Sequence, residues 1–144
     1  MKLSQIFNLT PGVYQVIGTP KNLDTLEESV YQQMFSIDSE DEDTMIVSEW
    51  DNSYIPESTF KHYFKRKCES SKDFSIATMV EAVNSTNCTE IYIFYPTARM
   101  TYQEYLEFSQ VLCKAKSKNS FVYIFSYMQN PDIPVIDIDN LSTV

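Results

Sequence analysis

Seven carboxylates fall within residues 38–51: Asp38, Glu40, Asp41, Glu42, Asp43, Glu49 and Asp51, with no basic residue among them. Like charges this dense repel one another, so the run must be hydrated or face something cationic. Trp50, the single tryptophan, lies inside the run, and Tyr54 follows it. Charged rims speed association while aromatic anchors carry binding energy. Glu40, Asp41, Glu42, Asp43, Glu49, Trp50, Asp51 and Tyr54 are therefore the expected docking surface for a basic protein partner. The plainer alternative is a solvated loop. Calcium is not expected, because Asp38-x-Glu40 lacks the glycine that makes the sharp turn of a D-x-[DN]-x-[DN]-G loop.

A second group of residues has the chemistry to hold an anion. Thr97, Arg99 and Thr101 lie between a predicted strand and a predicted helix. Ligands of open parallel sheets sit outside the carboxyl ends of strands, and a helix N-terminus favours negative charge. The competing assignment has Thr101 capping the helix, Thr97 in a turn and Arg99 paired with a surface carboxylate. Positive charge gathers in two places. Lys61, Lys65, Arg66 and Lys67 surround His62, and Lys114, Lys116 and Lys118 end a later helix; together these hold seven of the eleven cations. The formal charge is −9. Direct nucleic-acid binding is not expected of such a chain, because its affinity rests on counterion release by many lysines and arginines.

Catalysis finds little to use. A serine or cysteine nucleophile needs a positioned base, usually histidine. His62 is the only one and sits among lysines, so no catalytic residue is nominated and the chain is expected not to be an enzyme. Two glycines, Gly12 and Gly18, cannot build a phosphate-cradling loop of either common type. Cys68, Cys88 and Cys113 are odd in number, widely spaced and free of any C-x-x-C pair. Neither zinc nor a disulfide framework is expected of them, nor is any other cofactor, and they fit the reducing cytoplasm. Near the N-terminus Lys2 is followed by no apolar run of secretory length. No stretch approaches the roughly 18 apolar residues of a membrane span.

The elements that must position these residues follow from periodicity. Glu90 to Tyr95 is β-branched and aromatic, and Pro96 stops it. Thr101 and Glu104 form a T-x-x-E capping box that opens a helix reaching about Lys118. Tyr102, Tyr105, Leu106, Leu112 and Cys113 are read as its inner side. Phe121 to Tyr127 is another strand, completing a βαβ unit. Tyr92, Phe94, Tyr123 and Phe125 alternate and should share one buried face.

Earlier in the chain, Val13 to Ile17 reads as a strand ended by Gly18 and Pro20. Asn22 or Asp24 can cap a helix carrying Leu23, Leu26, Val30 and Met34 inward. Thr44 to Trp50 reads as a strand. A short helix after Pro56 would turn Phe60, Phe64 and Cys68 inward. Asp73 can cap a helix over residues 74–83 that is apolar nearly all round and therefore buried.

This alternation predicts an α/β single-domain sandwich with about four mainly parallel strands and four to five helices, including the C-terminal βαβ unit. Residues 1–130 are expected to form the domain, with 131–144 as an edge strand or an extended tail. A chain of 144 residues with 43% hydrophobic and 14% aromatic composition can bury a core without metals or disulfides. Three readings of function remain. The leading one is a small acidic, cytoplasmic, protein-binding module of inhibitor or immunity type. The others are a small enzyme acting on an anionic metabolite at residues 97–101, and an assembly subunit forming a homodimer or larger homo-oligomer.

Overall fold

The computed structural model describes residues 3–34, 44–48, 68–69, 76–86, 88–95, 100–115 and 120–143. Five strands make an all-parallel sheet: β1 (Gly12–Ile17), β2 (Thr44–Ser48), β4 (Glu90–Phe94), β5 (Phe121–Phe125) and β6 (Val135–Asp137). A two-residue strand, β3 (Cys68–Glu69), extends it at one edge, giving the order β3-β2-β4-β5-β1-β6. The helices are α1 (Leu3–Ile6, one turn), α2 (Pro20–Met34), α3 (Ile76–Ser85) and α4 (Tyr102–Ala115). A 3₁₀ turn, Ile138–Thr143, ends the described chain.

The two-residue pleat sends alternate side chains of each strand into two separate cores. Val16, Ile46, Tyr92, Phe94, Tyr123, Phe125 and Ile136 pack with Leu3 of α1 and Leu23 and Val30 of α2. Val13, Val47, Ile91, Ile93, Val122 and Ile124 pack with Met79 and Val83 of α3 and Tyr105, Phe108 and Leu112 of α4. The sheet is thus wound on both faces, which is why β4 and β5 are apolar at nearly every position. The aromatic face expected from Tyr92, Phe94, Tyr123 and Phe125 is present, with Tyr92 and Tyr123 rings 4.9 Å apart and Phe94 and Phe125 rings 4.7 Å apart.

Several local expectations need correction. Helix α2 starts at Pro20, not after Asn22 or Asp24: Thr19 C=O accepts the first helical bond from Leu23 N–H at 2.9 Å. Proline needs no amide partner at that first position. Cys68 lies in β3, paired with Ile46 of β2, and not on a helix. Helix α3 is not buried all round, since Ala77, Glu81 and Asn84 are exposed while Met79 and Val83 are buried. A helix laid on one face of a sheet buries only the stripe that faces it and leaves the opposite side to solvent. On α4, Tyr102 is half exposed, and Phe108 and Ser109 take the inner positions beside Tyr105 and Leu112. Residues 135–137 form an edge strand, aligned on Gln15 to Ile17 of β1.

A buried polar network anchors that edge. Gln15 Nε2 donates to the carbonyls of Asn130 and Ile133 at 2.8 and 3.1 Å. Its Oε1 accepts from the Tyr105 hydroxyl at 2.8 Å and from Asn130 N–H at 2.6 Å. Asn130 Nδ2 in turn donates to Ser109 Oγ at 2.9 Å. A buried amide in which both ends are matched holds its neighbours in one arrangement, because any other would leave a donor or acceptor unpaired. Here it fixes the segment from β5 to β6 against α4.

Candidate functional site

That segment lies on the α3–α4 face, with Met128 and Ile133 packed there. Helix α2, leaving the neighbouring strand β1, lies on the opposite face. The carboxyl ends of β5 and β1 are therefore where the chain departs to opposite sides, the usual place for a ligand in an open parallel sheet.

Two arrangements occupy this edge. The first is the turn from β1 into α2. Asp139, carried back by the 3₁₀ turn, accepts from Thr19 N–H at 3.1 and 2.8 Å through its two oxygens, from Thr19 Oγ1 at 3.3 Å and from Asn22 Nδ2 at 2.6 Å. These hydrogen bonds, first that from Asn22 and then that from the Thr19 backbone, hold the Asp139 carboxyl below its ordinary pKa. A carboxylate at a helix N-terminus is where the macrodipole favours negative charge. Gly18 makes the approach feasible, since a Cβ there would lie 2.6 Å from Ile138 Cγ1 and 3.2 Å from Asp139 Oδ1. The helix start that could take a phosphate is filled by the chain's own acid.

The second arrangement lies at the ends of β4 and β5. Tyr95 directly follows β4, and its N–H continues the ladder by donating to Phe125 C=O at 2.8 Å. It does so with φ of 53°. A bulky residue in the left-handed region is strained by about 1–3 kcal/mol and marks a place over-determined by its surroundings. The Tyr95 ring stacks on Tyr127, with centroids 5.2 Å apart and planes 21° apart. Tyr127 is 64% exposed, whereas the Tyr95 hydroxyl is shut off from solvent and has no hydrogen-bond partner among the described residues.

Two carboxylates of α2 act on this aromatic step. The Tyr95 phenol is pushed well above its ordinary pKa, first by burial, then by the charge of Glu27, then by Tyr127 and Asp24. The nearby Tyr127 hydroxyl opposes ionisation too, although its geometry falls short of a hydrogen bond. Glu27 is itself raised to about 7, chiefly by burial and secondarily by Asp24. Tyr95 stays a neutral phenol at physiological pH, and Glu27 titrates close to neutrality.

The expected site residues fare unevenly. Thr101 caps α4: Glu104 N–H donates to its Oγ1 at 3.2 Å, and Thr101 N–H donates to Glu104 Oε1 at 3.0 Å. The capping assignment accounts for its hydroxyl. Thr97 and Arg99 lie outside the described residues, as do Glu40, Asp41, Glu42, Asp43, Glu49, Trp50, Asp51 and Tyr54. Strand β2 separates the acidic run into two parts. Asp43 precedes Thr44, Glu49 follows Ser48, and five extended residues hold the strand's ends about 13 Å apart.

Sequence reasoning missed Glu27, Asp24 and Tyr127 as a group, and took Tyr95 only as a strand end. One signal was present. Leu23, Leu26, Val30 and Met34 mark the apolar stripe of α2, and Glu27 falls within that stripe, four residues after Leu23 and three before Val30. The φ of Tyr95 and the stacking of Tyr127 have no sequence signature.

Among the described residues no cluster of His, Cys, Asp and Glu could hold a metal ion. No helix among them is long and apolar enough to cross a membrane. Cys88 and Cys113 lie at the margin of the α3–α4 core, and burial pushes the Cys113 thiol up, away from reactivity. No protein-family model matches the chain, and no curated protein matches it. The fold class is α/β, with a parallel sheet between two helical layers, and the functional reading rests on the edge just described.

Proposed function

We propose that this chain is a non-catalytic, inhibitor- or immunity-type binding protein of the cytoplasm that docks on a basic protein partner along the carboxyl edge of its sheet. The observation that carries the reading is the exposed Tyr127 ring stacked on Tyr95 beside Glu27 and Asp24. An aromatic anchor set in negative charge is the combination that gives a docking surface both binding energy and steering. In sequence, Glu49, Trp50 and Asp51 directly follow β2. The remaining carboxylates, Glu40 to Asp43, precede β2 in sequence and add long-range attraction for a basic partner.

The test is capture from the native source with three forms of the tagged chain. These are the unaltered protein, the double variant Asp24→Lys with Tyr127→Ala, and a form with Glu40, Asp41, Glu42 and Asp43 reversed to lysine. The unaltered chain should retain a partner with a basic surface, the double variant should lose it, and the reversed form should bind it more slowly. Recovery of only acidic or uncharged partners, or retention unchanged by both sets of substitutions, overturns the reading.

One observation favours a second reading, a small enzyme acting on an anionic metabolite at residues 97–101. Glu27, raised to about 7, has the pKa of a general acid or base. The charge of Asp24 and Glu27 at this edge, however, repels an anion. Turnover abolished by Glu27→Gln and kept by Tyr127→Ala would establish the enzyme instead.

A further inference from the structure

We infer that the Tyr95–Tyr127 step, edged by Glu27 and Asp24, is a seat for the guanidinium group of an arginine on the basic partner. The inference rests on the docking reading and names the side chain that the edge would recognise.

Charge sets the sign of the occupant. Asp24 and the ionised form of Glu27 both act on Tyr95 through negative charge, so a phosphate or carboxylate would be repelled here, whereas a cation would be drawn in and would favour the ionised Glu27. Lys21, at the exposed first turn, is the only cation on α2. Shape then separates the two common cations. Tyr127 is covered on one side by the near-parallel Tyr95 ring and is otherwise mostly in solvent. A planar guanidinium can stack on such a ring and still donate sideways, whereas an ammonium is a compact, strongly hydrated point charge that does not stack.

Hydrogen bonding points the same way. The Tyr95 hydroxyl is closed to solvent, so the sideways donors of a guanidinium seated on the outer face of Tyr127 fall to the carboxylates. Glu27 or Asp24 would take one or two of the five donors. With its φ in the left-handed region, Tyr95 lies against the core and backs the Tyr127 ring, which leaves the outer face of Tyr127 for the guanidinium.

The experiment titrates the full chain with two blocked peptides of equal charge, Gly-Arg-Arg-Gly and Gly-Lys-Lys-Gly, at low ionic strength, following backbone amide shifts by NMR. The arginine peptide should bind at least about threefold more tightly and shift the amides of Tyr95 and Tyr127. Tyr127→Leu should weaken arginine binding by about three- to tenfold, the scale of a cation–π contact, and abolish the preference over lysine. Asp24→Asn should weaken both peptides alike. Thermal melts of both variants confirm that they fold.

Equal binding of the two peptides, untouched by Tyr127→Leu, overturns the arginine seat while leaving docking of a basic partner in place. Absence of any shift at this edge with either peptide also overturns it. The docking reading then stands or falls on the capture experiment, whose readout is independent.

Discussion

Two turns at the same edge of one sheet have opposite characters. Between β1 and α2, Thr19 and Asn22 donate to Asp139, and Gly18, with no side chain, lies where the returning chain needs the space. At the ends of β4 and β5, a tyrosine sits in the left-handed region, its hydroxyl lacks a partner among the described residues, and the ring stacked on it is mostly in solvent. The first turn is complete within the chain. The second carries unspent interactions, which is what a surface completed by a partner should look like. A helix N-terminus is thus a poor guide to function in this molecule, because its own C-terminal segment already serves it.

The contrast can be broken or sharpened by substitution, and the largest effect belongs to the filled turn. Gly18→Ala puts a methyl 2.6 Å from Ile138 Cγ1, and overpacking of that kind costs about 1–3 kcal/mol. Chemical denaturation should show it, and an unchanged midpoint would mean that the 3₁₀ turn yields freely. Tyr95→Phe should do the reverse. It removes a buried hydroxyl that has no partner, so the variant should be more stable by about 1 kcal/mol. A loss of that size would show instead that the hydroxyl is satisfied in solution.

Glu27→Gln tests the electrostatics of the open turn through pH. The folded pKa, about 7, lies above the ordinary 4.5, so between these values the folded state binds the extra proton. Wild-type stability therefore falls as pH rises through that window. The variant should melt higher than wild type at pH 8 and lose this advantage below about pH 4.5. Parallel melting curves at all pH values would refute the burial of that carboxyl.

The smallest effect is expected at Asp139→Asn, on an exposed group. Its folded pKa is depressed, so its contribution is present above the unfolded value of 3.8 and is lost as pH falls through the folded one. The variant should melt slightly below wild type at pH 7, and the gap should close in acid.

Much of the fold was legible before any coordinates. Runs such as Glu90 to Phe94 and Phe121 to Phe125 announce buried strands because both faces of a parallel sheet are covered. Thr101 and Glu104 announce a helix start through a bond pattern local to four residues. The proposed docking site was less legible. Glu27 could have been noticed as a carboxylate inside the apolar stripe of α2, but its neighbours Tyr95 and Tyr127 come from the ends of two other strands. The acidic run drew attention by composition, and β2 lies within it.

What the amino-acid sequence alone determined is whatever depends on neighbours along the chain: the parallel strands, the helical stripes, the capping box and the absence of a phosphate-loop glycine pattern. What only the tertiary structure decided depends on residues brought together from far apart. Asp139 meets Thr19 across 120 residues, and Gln15 meets Asn130 across 115. Tyr127 meets Tyr95 between two adjacent strands. Side-chain hydrogen bonds and ring stacking of this kind have no period in sequence, because they are set by strand order and winding direction rather than by local backbone preference.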